Sequence, residues 1–191
     1  MGKQIITGIK FLIYMTIITG ILYPLLITGI ANILFSDKVS GSLVEINGKV
    51  IGSTLLGQNF EKPGYFHGRP SAIKYNPIPS GASNLSPMNP VLISLVTLRK
   101  KNFILTNLLS DTTSVPPEMV YSSASGIDPH ISPESAMMQV ERVARARDYD
   151  QDKKLKLVKL IKDMSETRQF SILGEPRINV FLLNLRTDSL K

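Results

Sequence analysis

Apolar positions fall into two regimes along this chain. From Phe11 to Phe35 it reads FLIYMTIITGILYPLLITGIANILF, 25 residues without a charged side chain or histidine. As an α-helix rising about 1.5 Å per residue the stretch is roughly 37 Å long, against a hydrocarbon core of about 30 Å, so it crosses with some tilt. Apolar residues occupy all its sides, whereas a helix at the edge of a soluble core keeps a polar face. Pro24 sits mid-span, which a membrane helix tolerates when hydroxyls or neighbouring helices satisfy the freed carbonyl; a kink is expected there. Thr16, Thr19, Gly20, Thr28, Gly29 and Ala31 offer small surfaces. Gly20, Pro24 and Gly29 are therefore candidates for packing against another helix.

After Ser36 the pattern changes to short periodic elements. Asn47-Gly48, flanked by Val44, Ile46 and Val50, predicts a hairpin within 42–56, because both turn residues accept positive φ. Residues 57–90 are rich in Gly, Pro, Ser and Asn and lack a helical period, yet hold Phe60, Tyr65, Phe66 and Tyr75. That aromatic content argues for an ordered, partner-facing loop. Asn89-Pro90 predicts a helix to about Leu109 with Val91, Leu92, Leu95, Val96, Leu98, Phe103, Leu105 and Leu109 on its packed side. Ser132-Pro133 opens a second helix reaching Arg147, and a third covers 150–163 with Leu157, Val158, Leu160, Ile161 and Met164 packed. Arg177 to Leu185 (RINVFLLNL) reads as a central strand.

The expected fold is a mixed α/β (α+β) domain anchored by one N-terminal transmembrane helix: a tail at 1–10, the span at 11–35 and the domain at 36–191. An apolar stretch this long, without a small-residue cleavage site, reads as a retained anchor rather than a signal peptide. Lys3 and Lys10 precede the span without an acid, which favours a cytoplasmic N-terminus and an extracytoplasmic domain. The remainder carries 20 of the 22 basic and all 15 acidic side chains, a mild and scattered excess that suits anionic lipid or an acidic partner better than nucleic acid. With no cysteine in the chain, disulfides and thiolate chemistry are excluded.

Candidate chemistry is sparse. His67 and His130 are the two histidines, and Ser125, Asp128 and His130 supply the residue types of a nucleophile, an orienter and a base. Their closeness in sequence disfavours a relay, so a membrane-tethered extracytoplasmic hydrolase is the alternative rather than the leading reading. Neither a zinc motif nor a phosphate-binding glycine loop occurs. Arg69 and Arg177 can each grip a carboxylate or phosphate, or anchor an interface.

Several longer words then converge. GQNF at 57–60, YFHGRPSA at 65–72, YNP at 75–77, SGASNL at 80–85, SASGIDPHISP at 123–133, RVARAR at 142–147 and GEPRINV at 174–180 together resemble the KdpC family, the C subunit of the Kdp potassium-transporting P-type ATPase. The likeness runs in order over nearly the whole chain, with Ala82 standing where the family pattern has a second glycine. It implies a non-catalytic, single-pass subunit of the cell inner membrane, within a high-affinity uptake complex. The implied partners are a channel-like potassium-selecting subunit, a P-type ATPase subunit, a small single-span subunit and membrane lipid. No cofactor is expected to bind tightly, ATP and potassium being handled by the complex. The resemblance assigns a role in ATP affinity, with Gln58 matching the glutamine proposed to touch nucleotide. An extracytoplasmic domain cannot reach cytoplasmic ATP, so such an effect must be allosteric. Tyr65, Phe66, Arg69, Tyr75, Asn84, Asp128, His130 and Arg177 are the candidate partner-interface residues.

Overall fold

A computed structural model describes residues 2–190, which divide after Ser53 into two compact units. The first is built on a continuous helix that already begins at Gly2, so residues assigned to a tail are helical. It comprises α1 (Gly2–Ile17), a π-helical turn (Ile18–Leu22) and α2 (Tyr23–Leu34). The wide turn has a local cause. Pro24 has no N–H for the Gly20 carbonyl and its ring crowds that carbonyl; one residue earlier the Tyr23 N–H reaches back five residues to Ile18. None of the helix is buried within the chain, leaving an apolar surface on every side. A short α3 (Ser36–Val39) leads into β1 (Leu43–Ile46) and β2 (Lys49–Ser53). The strands pair antiparallel around Asn47 and Gly48, at φ 53° and 73°, with a bulge after Val44.

The second unit gathers its helices around Phe66, Ile131, Val143, Leu157, Ile161, Ile178 and Leu183. These are α4 (Pro90–Thr106), α5 (Pro133–Met137), α6 (Val140–Ala146), α7 (Gln151–Met164) and α8 (Val180–Asp188). Four begin on a side-chain cap. Asn89, Ser132, Asp150 and Asn179 accept from the backbone N–H of Val91, Ser135, Lys153 and Leu182 at 2.8–3.1 Å. A two-residue pair, β3 (His130–Ile131) and β4 (Ile178–Asn179), runs antiparallel with His130 opposite Asn179.

Three expectations need correction. The predicted central strand at 177–185 is a strand only at Ile178–Asn179; the Asn179 side chain caps α8, which buries Val180, Leu183, Asn184 and Thr187 at helical spacing. The single helix from Ser132 to Arg147 is broken at Met138–Gln139, where Gln139 commits its amide to the loop it packs against. On α4 only Phe103 of the expected packed side is buried within the helix, joined by Ile104, which lies outside the expected set; Val91, Leu98 and Leu105 form an exposed line at seven-residue spacing.

Candidate functional site

The stretch from Gly57 to Asn89 contains turns but neither helix nor strand, so its backbone polar groups must find partners elsewhere. Buried amides and guanidiniums supply them. Asn184 clamps Phe66, its Oδ1 accepting from the Phe66 N–H at 2.7 Å and its Nδ2 donating to the Phe66 carbonyl at 2.9 Å. Gln139 does the same for His67, at 2.7 and 3.1 Å. Arg142 donates to the carbonyls of Pro63 and Tyr65 and to the side chains of Asn107 and Gln139. Burial lowers its pKa to about 10, which leaves it charged at neutral pH. Burial and the Arg142 charge lower the His67 ring to about 4, so it is neutral there.

A second set of contacts folds this loop onto residues 123–130. The Gly57 N–H donates to the Ile127 carbonyl, the Ser123 N–H to Pro70 and the Gly81 N–H to Ser125, while the Ser71 hydroxyl donates to the Gly126 carbonyl at 2.6 Å. Gly126, at φ 72°, is required by both conformation and space: a Cβ there would lie 2.4 Å from Ile73 Cγ1 and 2.9 Å from the Gly81 carbonyl oxygen. The two sequence words YFHGRPSA and SASGIDPHISP are thereby assembled into one surface.

On that surface Arg69, Tyr75, Asp128 and His130 come together. Arg69 Nη1 donates to Asp128 Oδ2 at 2.9 Å, and Asp128 Oδ1 accepts from the His130 N–H at 3.0 Å, with His130 Nδ1 at 3.5 Å. Tyr75 donates its phenol to the Arg69 carbonyl at 2.5 Å. Burial alone would raise the Asp128 carboxyl; the His130 and Arg69 hydrogen bonds outweigh it and hold it at about 2. Burial and the nearby Asp128 charge push the Tyr75 phenol up to about 12. Arg69, Asp128 and His130 line a cleft of about 1060 Å³ together with Glu118, Ser132 and Arg177. Glu118 accepts from the hydroxyls of both Ser132 and Ser135, which outweigh the opposing effect of burial and lower its pKa.

The other candidates are placed differently. Phe66 is 0% exposed and belongs to the core, so it offers no surface to a partner. Tyr65 is half-buried, tilted against Phe60 and covered by the Arg147 guanidinium 4.9 Å from its ring centroid. Gln58 is half-buried and Asn84 exposed, the latter at φ 51°. Arg177 pairs with Glu166 at 2.8 Å, and both line the cleft. Ser125 Oγ accepts from the Ile127 N–H and Asp128 serves Arg69 and His130, so these hydroxyl and carboxylate groups are engaged in turns and pairs. Among the described residues no group of three His, Asp or Glu side chains is arranged to hold a metal ion. Sequence reasoning missed four buried polar side chains: Arg142 and Asn184, whose signal is a polar residue at a core position of a helix, and Asn107 and Gln139, which stand just outside helix ends.

This pattern of short words spread over the chain and folded together has a counterpart among known proteins. The family described as "KdpC: K+-transporting ATPase, c chain" matches residues 5–189. The chain belongs to the KdpC family. Among its relatives, a potassium-transporting ATPase KdpC subunit of Rhodopseudomonas palustris is 42% identical over 205 residues, covering 100% of each chain. One of Geobacter sulfurreducens is 45% identical over 192 residues and 98% of each chain. One of Burkholderia orbicola is 46% identical over 160 residues, 82% of this chain and 80% of its own. The clamped loop and the Arg69–Asp128–His130 cluster are thus features of a KdpC chain, a subunit of a potassium-transporting ATPase.

Proposed function

We propose that the chain serves its complex as a non-catalytic accessory subunit, required for assembly and stability, with the N-terminus in the cytoplasm and the second unit outside. The observation that carries this reading is the use of its reactive side chains: Asp128, Ser125 and Glu118 are all engaged in holding loops. A surface so fixed is suited to presenting a shape to a protein partner, with little rearrangement on binding. Tyr65, Arg69, Tyr75, Asn84, Asp128, His130 and Arg177 are the contact candidates that remain once Phe66 is assigned to the core. The helix Gly2–Leu34 contributes a second contact. A Cβ at Gly29 would meet nothing within 4 Å and one at Gly20 only Thr16 Cγ2 at 4.0 Å, so neither glycine is required by the chain's own packing and both leave room for a neighbouring helix. The proposed partners are the channel-like potassium-selecting subunit, the P-type ATPase subunit and the small single-span subunit, with lipid around the helix. Any effect of Gln58 on ATP affinity is transmitted allosterically, because the two lie on opposite sides of the membrane.

The test is recovery of the ATPase and channel-like subunits on the tagged full-length chain in mild detergent, combined with labelling of Lys159→Cys, an exposed position in a chain without cysteine, by a membrane-impermeant thiol reagent in intact cells. Co-recovery and labelling from outside are expected. Isolation of the chain alone contradicts the assembly role, and protection until lysis contradicts the orientation.

A further inference from the structure

Between α7 and β4 the chain leaves the core as a narrow arm. Glu166 and Arg177 exchange backbone hydrogen bonds at 2.8 and 3.1 Å, and Gln169 and Leu173 exchange a second pair, each at 2.9 Å. Two ion pairs brace it, Arg177 with Glu166 at 2.8 Å and Arg168 with Glu175 at 2.7 Å. Its tip is made by Phe170 and Ser171 at φ 53° and 62°, without the glycine or asparagine such a turn prefers. A phenylalanine in the left-handed region is strained. That conformation leaves Phe170 87% exposed, next to Ile172 at 78% and Leu173 at 59%. Three large apolar side chains are therefore held in water at the end of a braced support, and the core gains nothing from them.

We propose that the arm 166–177 is a docking knob, seating Phe170 and Ile172 in an apolar pocket on the extracytoplasmic surface of another subunit of the transporting complex; this rests on the accessory-subunit reading above. Charge selects a protein pocket over a bilayer. The two arginines of the arm are paired with its two glutamates, so no unpaired cation remains to meet anionic headgroups. Gln169 and Ser171 flank Phe170, and hydrocarbon would strip their hydration without replacing it, whereas a protein pocket can supply hydrogen bonds. A pre-shaped tip with an aromatic anchor matches the way a few side chains dominate an interface, because little freedom is lost on binding.

The experiment places the photoreactive residue p-benzoylphenylalanine at position 170 of the tagged full-length chain and irradiates native membranes. The expected product is an adduct with a different subunit of the complex. An adduct of twice the chain's own mass, lipid adducts alone, or no adduct while the complex still co-purifies with the wild-type chain each overturn the docking knob and leave the accessory role standing. Failure of the wild-type chain to co-purify overturns both. In parallel, F170S together with I172S is expected to lower recovery of the other subunits about tenfold or more, the loss typical of truncated anchor residues. The thermal unfolding of the full-length chain should stay unchanged, since both side chains are exposed. Unaltered recovery contradicts the proposal.

Discussion

Asn184 and Gln139 each hold one residue of the 65–67 backbone by both its N–H and its carbonyl, a use of the side-chain amide that aspartate or leucine cannot reproduce. Asn184→Ala leaves the buried Phe66 backbone without either partner. It should destabilise the full-length chain by about 2–6 kcal/mol, since each of the two unsatisfied buried groups costs about 1–3 kcal/mol, and a denaturant midpoint measures it. His67 gives this region a pH dependence. Its folded pKa of about 4 lies below the ordinary 6.5, so the unfolded chain binds the proton more readily. Stability is then full above about pH 6.5 and falls as pH drops toward 4. His67→Gln should flatten the melting temperature against pH in that window. A further loss from Asp128 begins only below its ordinary 3.8 and proceeds toward about 2, so the two contributions separate on the pH axis.

At the scale of elements, local chemistry accounts for what was legible in the sequence. Asn89, Ser132 and Asp150 mark helix starts because a short polar side chain before a helical run satisfies an N–H that the helix leaves open. Asn47-Gly48 marks the hairpin because both residues take positive φ cheaply. α8 was hidden because Asn184 and Thr187, buried on its packed face, are polar, so apolar residues alone do not trace the helical period. The arm was hidden because its turn uses Phe170 and Ser171, which carry no turn signal. The Arg69–Asp128–His130 cluster was legible as a set of words but not as a contact, since Arg69 and Asp128 are joined only by tertiary folding. Glycine separates word from contact most sharply. Gly126→Ala should destabilise by about 2 kcal/mol or more through overpacking and a strained φ, whereas Gly81→Ala, where a Cβ meets nothing within 4 Å, should stay within about 0.5 kcal/mol in the same unfolding assay.

At the scale of the whole molecule, the chain combines an apolar helix, none of whose described residues is buried, with a second unit in which Arg142, Gln139 and Asn184 are spent on loop geometry. Membership of the KdpC family makes the chain a subunit of a potassium-transporting ATPase, the setting in which the accessory role is proposed. A hydrolase with Ser125 as its nucleophile would need that hydroxyl, and the accessory role does not. Potassium-stimulated ATP hydrolysis therefore distinguishes the two, measured in membranes of cells lacking the chain and after it is supplied again as wild type or as Ser125→Ala. Hydrolysis should be lost without the chain and restored equally by both forms. Hydrolysis undiminished in its absence, or restored by the wild type alone, would contradict the accessory role.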